Sequence, residues 1–316
     1  MEHNSGTQKL KLRAKASLTL LLVAVISITT ATYAWFTLTN STVVHNMTVE
    51  VSMGTTLKVD TAPHANIGDY VTVVKNDKVN AQLNANFNYE LADKPGVKGL
   101  KLRPVTSGNG RALYTQSQNS AVGAAGTEPQ AGYYLQLSLW FMSTADMNIY
   151  LNGDDTPDAA NPDGTKIYTD PRKYADQAAR LSITPYGLKS GGNPASAADY
   201  TAIEPSFIYE PMAAGTVNVK GNAAVDVNGS RTEVKQPTFT VLGTNLGLAN
   251  GGEKTTSLFK LTANVPKLAV IRLWVEGEDP QCVNGNGADK NINLEGETFI
   301  TRLRFCGADD TGNYIE

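Results

Sequence analysis

Glu276, Glu278 and Asp279 crowd the stretch just after Trp274, the densest set of carboxylates in a chain otherwise sparing with charge. Three such groups side by side offer oxygen ligands to a hard cation such as Ca²⁺, or an acid and a base for proton transfer. The same run also reads as a solvated turn, opened by Asp279 ahead of Pro280. A second acidic loop, Asn152 to Asp163, lacks the ligand order and closing Glu of a Ca²⁺-binding loop, so turn chemistry accounts for it. Histidine occurs only at His3, His45 and His64, and cysteine only at Cys282 and Cys306, which leaves little material for a zinc or thiol centre. There is no His-Glu-x-x-His, no Gly-x-Ser-x-Gly, no phosphate-cradling glycine loop and no dinucleotide fingerprint. The expectation is a protein that is not an enzyme and needs no cofactor, with Ca²⁺ at Glu276, Glu278 and Asp279 as the one metal site to test. Cys282 and Cys306 flank the last strand pair and its loop. In an oxidising compartment they would form a disulfide, stabilising by roughly 3 kcal/mol for a loop of about 25 residues; two thiols are the alternative.

Whatever holds such groups in place is exported. Lys9, Lys11, Arg13 and Lys15 precede an apolar run from Leu18 to Ile26, and no charged residue follows until Glu50. Basic, apolar and small-residue parts in that order make a secretory signal, with Thr32-Tyr33-Ala34 fitting the cleavage pattern. Cleavage after Ala34 would make residues 1–34 a signal peptide and start the mature chain at Trp35. The competing expectation is an uncleaved anchor over Ala16 to Phe36, although Ser27 to Thr32 is rich in hydroxyl side chains for a membrane span. Both place the bulk of the chain outside the cytoplasm, extracellular or at the cell surface. The balance of 27 Lys+Arg against 30 Asp+Glu gives a formal net charge of -3. No basic face of the kind that releases phosphate counterions is expected, so nucleic acid is excluded as a partner.

Abundant Gly, Thr, Asn and Ser with few charges point to short strands joined by turns. Tyr133 to Phe141 is the clearest strand, with Tyr133, Leu135, Leu137, Leu139 and Phe141 on one face. Lys267 to Val275 and Thr298 to Phe305 are two more, expected to pair as neighbours across the loop from Glu276 to Glu297. Met47 to Ser52 and Leu57 to Val59 read as a strand pair around Gly54. Further strands are expected at Tyr70 to Val74, Asn148 to Leu151, Ala179 to Thr184, Phe207 to Pro211, Pro237 to Leu242 and Ser257 to Leu261, with one short helix at Lys173 to Ala179. Residues 75–100 give no firm pattern beyond Phe87 to Leu91, and no amphipathic helix stands out after the signal. The fold class expected is all-β: a jelly-roll-like sandwich over residues 35–316 carrying an N-terminal apolar signal helix, with loop insertions near 105–130, 152–172, 189–200 and 212–236.

Trp35, Phe36, Thr37 and Leu38, followed by Val43 and Val44, form an uncharged extended segment directly behind the cleavage point. Such a strand must be paired or it aggregates. It is either the first strand of its own sheet or a strand given to a neighbouring subunit by β-strand addition.

Thr30 to Thr37, Asn46 to Val51 and Gly54 to Val59 together resemble the export signal and first strands of the TasA/camelysin-like secreted proteins of Gram-positive bacteria, whose signals are removed by a SipW-type peptidase. In that group an alanine precedes an aromatic pair, as Ala34 precedes Trp35 and Phe36, and a Gly-Thr-Leu element opens a strand. The acidic residue that follows the aromatic pair there is replaced here by Thr37 and Leu38. Leu137 to Ser143, Ile149 to Leu151, Ala178 to Ser182 and Trp274 to Cys282 look like segments of clostridial surface proteins with the same signal. The resemblance implies jelly-roll subunits that polymerise into fibres or biofilm matrix, with the new N-terminus as donated strand. Partners would be further copies of the chain and other surface-matrix proteins, with membrane contact only through the N-terminal segment. A monomeric, membrane-anchored adhesin or binding module is the alternative. Camelysin-type proteins have also been classed as metalloproteases, but two scattered histidines behind the signal would need unusual carboxylate partners to hold zinc.

Overall fold

The computed structural model describes residues 42–51, 56–91, 99–107, 109–114, 131–151, 165–169, 178–209, 223–225, 231–233, 239–242, 257–277 and 298–309, with 13, 15, 17 and 19–21 near the N-terminus. Met1–Thr39 and Asn40–Glu316 form two separate units. In the first, the described residues are helical, and Thr19 Oγ1 donates to the Lys15 carbonyl one turn back at 2.9 Å. Leu20 and Leu21 are exposed. Among the described residues, no helix is long and apolar enough to cross a membrane.

The second unit is all-β, built from two mixed sheets packed face to face. One sheet centres on β1 (Thr42–Val51), which lies between β17 (Thr298–Ala308) and β4 (Leu100–Leu102). Beyond β17 come β7 (Met147–Leu151) and β15 (Phe259–Leu261); beyond β4 comes β5 (Ala131–Gly132); β3 (Val73–Val74) and β8 (Lys166–Thr169) attach to β1 and β17. The other sheet runs β14 (Phe239–Leu242), β11 (Ser206–Tyr209), β9 (Ala179–Leu188), β16 (Lys267–Val275), β6 (Tyr134–Ser143) and β2 (Leu57–Asp60), with β10 (Tyr200–Ile203) against β9. A small hairpin joins β12 (Ala223–Val225) to β13 (Arg231–Glu233).

Period-2 side-chain alternation puts Leu135, Leu137, Leu139 and Phe141 of β6 on the inner face, all fully buried, as their spacing predicts. Ala269, Ile271 and Leu273 of β16 sit opposite Leu139, Leu137 and Leu135. The other sheet answers with Val44, Met47, Val49 and Val51 of β1 and with Phe299, Leu303 and Phe305 of β17. The sheets meet where the Phe141 ring stands edge-on to Phe305 at 4.9 Å and to Phe259 at 5.5 Å.

Three expectations need correction. β1 and β2 do not pair with each other: β1 joins one sheet and β2 the other, against β6. The two long strands near the C-terminus are likewise separated, β16 lying between β9 and β6 while β17 pairs with β1, β7 and β8. Both strands of each couple bear apolar side chains, and burying those faces against one another across the sandwich removes more apolar surface than laying them side by side. Thirdly, Asn76–Phe87 is an α-helix, α1, where no helix was expected. Val79 and Leu83, one turn apart, are its buried residues, and it ends on Asn88, whose φ of 56° is the left-handed turn asparagine tolerates. The strand expected at Tyr70 shortens to Val73–Val74, with Val71 bridging Val59. Within 189–200, a 3₁₀ turn at Ala197–Asp199 is pinned by Lys189 to the Asp199 carboxylate at 2.6 Å. The helix expected at Lys173 to Ala179 lies largely outside the described residues, and Ala179 opens β9.

Candidate functional site

β1 is the element on which the donated-strand expectation rests. Of its named residues, Trp35, Phe36, Thr37 and Leu38, and the cleavage residue Ala34, lie outside the described residues. Val43 and Val44 open β1. They pair in parallel with Thr298 and Phe299 on β17, and antiparallel with Lys101 and Leu100 on β4. Gly99 makes that approach possible, because a side chain there would collide with the Val44 carbonyl oxygen.

The ladder to β17 then slips between Val44 and Asn46, leaving His45 as the extra residue of a β-bulge. His45 is 2% exposed, and its Nδ1 has no hydrogen-bond partner. Burial therefore holds its pKa below the ordinary histidine value, since the charged ring would lose its hydration. Two more buried acceptors nearby, Asn46 Oδ1 and Thr301 Oγ1, are equally without partners. On the flank away from β17, between β4 and β3, β1 meets α1: the Met47 N–H donates to Asn76 Oδ1 at 3.4 Å. The first half of β1 thus carries buried polar atoms that water would serve better.

The acidic cluster divides. Glu276 is not in an exposed turn; it is 2% exposed and its Oε2 accepts the Trp274 indole N–H at 3.1 Å. Its backbone N–H donates to the Ala178 carbonyl, extending the ladder beyond β16. Glu278 and Asp279 lie outside the described residues. Among the described residues, no group of three His, Cys, Asp or Glu side chains is placed to hold a metal. Cys306 is buried on β17 opposite Tyr150, and Cys282 lies outside the described residues.

A cluster that the sequence reading passed over gathers at the end of β2. The buried Asp60 carboxylate accepts from Lys78 Nζ at 2.7 Å and from the Thr61 N–H at 2.6 Å, with His64 Nε2 at 3.7 Å. Tyr70 Oη donates to the His64 carbonyl and accepts its N–H, both at 3.1 Å, while the two rings meet edge to face. Burial pushes the Tyr70 phenol up to about 12. The arrangement ties α1 and the following loop to the sheet. Its one signal in the sequence is Asp60 followed by His64, too common a pair to stand out.

Comparison of the whole chain with protein-family models, with curated proteins and with solved structures finds no match.

Proposed function

We propose that the chain is an exported structural subunit of extracellular fibres or biofilm matrix, which assembles by giving its N-terminal strand to the next copy. The observation that carries this reading is the seat of β1. It is the first strand after the N-terminal unit, yet it lies inside its sheet between β17 and β4. Its partner β17 is parallel to it and distant in sequence, so no hairpin binds the two. β1 can leave along one line and be replaced in the same register by β1 of another molecule. The unpartnered His45 Nδ1 and Asn46 Oδ1 lower the cost of that departure. Residues 35–41 would lengthen the donated strand. The jelly-roll form of the sandwich belongs to this proposal, supported by a chain that changes sheet between β1 and β2, β6 and β7, and β16 and β17. So do export by a cleaved signal, the absence of catalysis, and self-association as the main partnership.

A second reading, a monomeric surface-binding module, draws on the fact that β1 is already paired on both flanks within its own chain. One experiment separates the two. Thr48 and Arg302 face each other across β1 and β17 on the half-buried outer side. Cysteines at both positions (Thr48→Cys with Arg302→Cys) would lock β1 in its own sheet. The expected result is polymers from the reduced pair, seen by negative-stain microscopy, and monomers from the oxidised pair. A chain lacking residues 35–44 should fold and stay monomeric. Polymers of equal yield from the locked chain would overturn the proposal.

A further inference from the structure

The outer face of the β9–β16–β6 sheet carries a buried charge with no opposite charge beside it among the described residues. Register places Arg272 between Gln136 on β6 and Ser182 on β9, with Val270, Thr184 and Ser206 in the next row. Arg272 is 9% exposed. Its Nε donates to Gln136 Oε1 at 3.0 Å and its Nη1 reaches Thr184 Oγ1 at 3.5 Å, the limit of a hydrogen bond. Both partners are neutral. Among the described residues Nη2 has no protein partner and no carboxylate pairs with the guanidinium, and Nη2 is not sealed from solvent. The half-buried Lys267 on the same strand, by contrast, meets Glu204.

A guanidinium stays protonated at any working pH, and an uncompensated charge taken out of water is among the costliest things a fold can hold. The surroundings are nevertheless built. On one side Trp274, Tyr134 and Ile208 pack under Val105 and Leu113; on the other Trp140, Leu268 and Val270 pack under Tyr70 and Tyr200. Gly110, at a φ of 68°, lies so close to Ser182 that no side chain would fit between them. The Ser182 hydroxyl is spent on the Gly110 carbonyl, but Thr184 and Ser206 share a single hydrogen bond of 2.9 Å. One hydroxyl proton of that pair is therefore left to donate elsewhere. A polar island with an open fork, a spare hydroxyl donor and the Gln136 amide sits between two aromatic walls.

We infer that this island is a binding site for a small oxyanion, a carboxylate or an inorganic phosphate or sulfate, held end-on by Arg272 with help from the Thr184–Ser206 hydroxyl pair. The ligand supplies the missing negative charge, and the fork geometry favours two parallel N–H···O bonds. The site lies on the opposite sheet from β1 and does not depend on polymerisation.

The test titrates the full chain with sodium acetate, N-acetylglutamate amide, sodium sulfate and potassium phosphate. Sodium chloride at matched ionic strength is the reference, and calorimetry and thermal unfolding are the readouts. Saturable binding with a rise in Tm is expected for at least one oxyanion. Preference for sulfate and phosphate assigns a free inorganic ion; preference for the blocked glutamate assigns a carboxylate brought by a protein. Arg272→Lys keeps the charge but loses the fork, and should weaken binding about tenfold. Arg272→Met should abolish it while raising stability in chloride, because the buried charge is gone. Should that variant fail to fold, Arg272→Lys and Ser206→Ala carry the test. No saturable binding of any of the four anions, or binding unchanged in Arg272→Lys and Ser206→Ala, would overturn the inference.

Discussion

Phe141 is the side chain through which the two sheets feel each other. Its ring is fully buried and meets Phe259 and Phe305 of the facing sheet edge-on. Truncation to alanine would remove both ring contacts and leave a cavity that backbones in two rigid sheets cannot collapse to fill. Phe141→Ala is expected to cost about 3–5 kcal/mol in denaturant-induced unfolding, and Phe141→Leu clearly less. Tyrosines give a second prediction. Burial raises Tyr70 to about 12, and raises Tyr89, Tyr200 and Tyr209 well above the ordinary phenol. In the unfolded chain these groups lose their protons near pH 10, so above that pH the folded state binds more protons than the unfolded one. Their contribution is fully present below pH 10 and is lost as pH rises through the folded values. Stability should therefore fall from pH 10 upward, and Tyr70→Phe should flatten part of that fall between pH 10 and 12. Denaturation midpoints across that range, with phenolate absorbance, provide the check.

At the scale of elements, α1 acts as a side-chain substitute for a strand. β2 covers β6 only from Trp140 to Ser143, so the next outward-facing backbone pair, at Ser138, meets no strand. Gln82 takes the place: its Oε1 accepts the Ser138 N–H at 2.8 Å and its Nε2 donates to the Ser138 carbonyl at 2.9 Å and to that of Thr61 at 2.6 Å. Gln82→Ala would strip both backbone groups of their partners and uncover an edge. A loss of roughly 1–3 kcal/mol is expected, with increased self-association on size-exclusion chromatography, whereas Gln82→Glu should keep the bond to the N–H and lose those to the carbonyls. This helix also marks where the sequence stops being legible. β6, β16 and β17 could be read from alternating Leu, Ile and Phe because period 2 is local. Which sheet each strand joins could not, since a strand with one apolar face is equally content beside its chain neighbour or across from it. α1 was hidden by five asparagines within and just after it, poor helix formers that conceal the Val79–Leu83 spacing. At the candidate site, Val43 and Val44 were legible as the end of an uncharged segment in need of pairing, and the rest of β1 as the strand Met47 to Ser52. The burial of Glu276 and the isolation of Arg272 were not, because they depend on which residues lie across the sheet. Arg272 did leave one trace: a lone charge inside the apolar run from Leu268 to Val275.

The whole molecule is closed by pairing its first described strand with its last, Val43 beside Thr298 through Val51 beside Phe305. That arrangement has a consequence in time. A chain delivered across a membrane in the direction of synthesis presents β1 long before β17 exists, with about 250 residues still to come. At ~5–20 residues per second that interval is on the order of 10–50 s, far longer than the microseconds in which hairpins form. Through that interval the sheet around β1 has no centre and its exposed valines have no final home. Under the proposed assembly, each newly arriving molecule would pass through a stage when its β1 is free to enter the sheet of an older neighbour. The order of arrival, as much as the affinity of any surface, would then decide whether a chain closes on itself or joins the one before it.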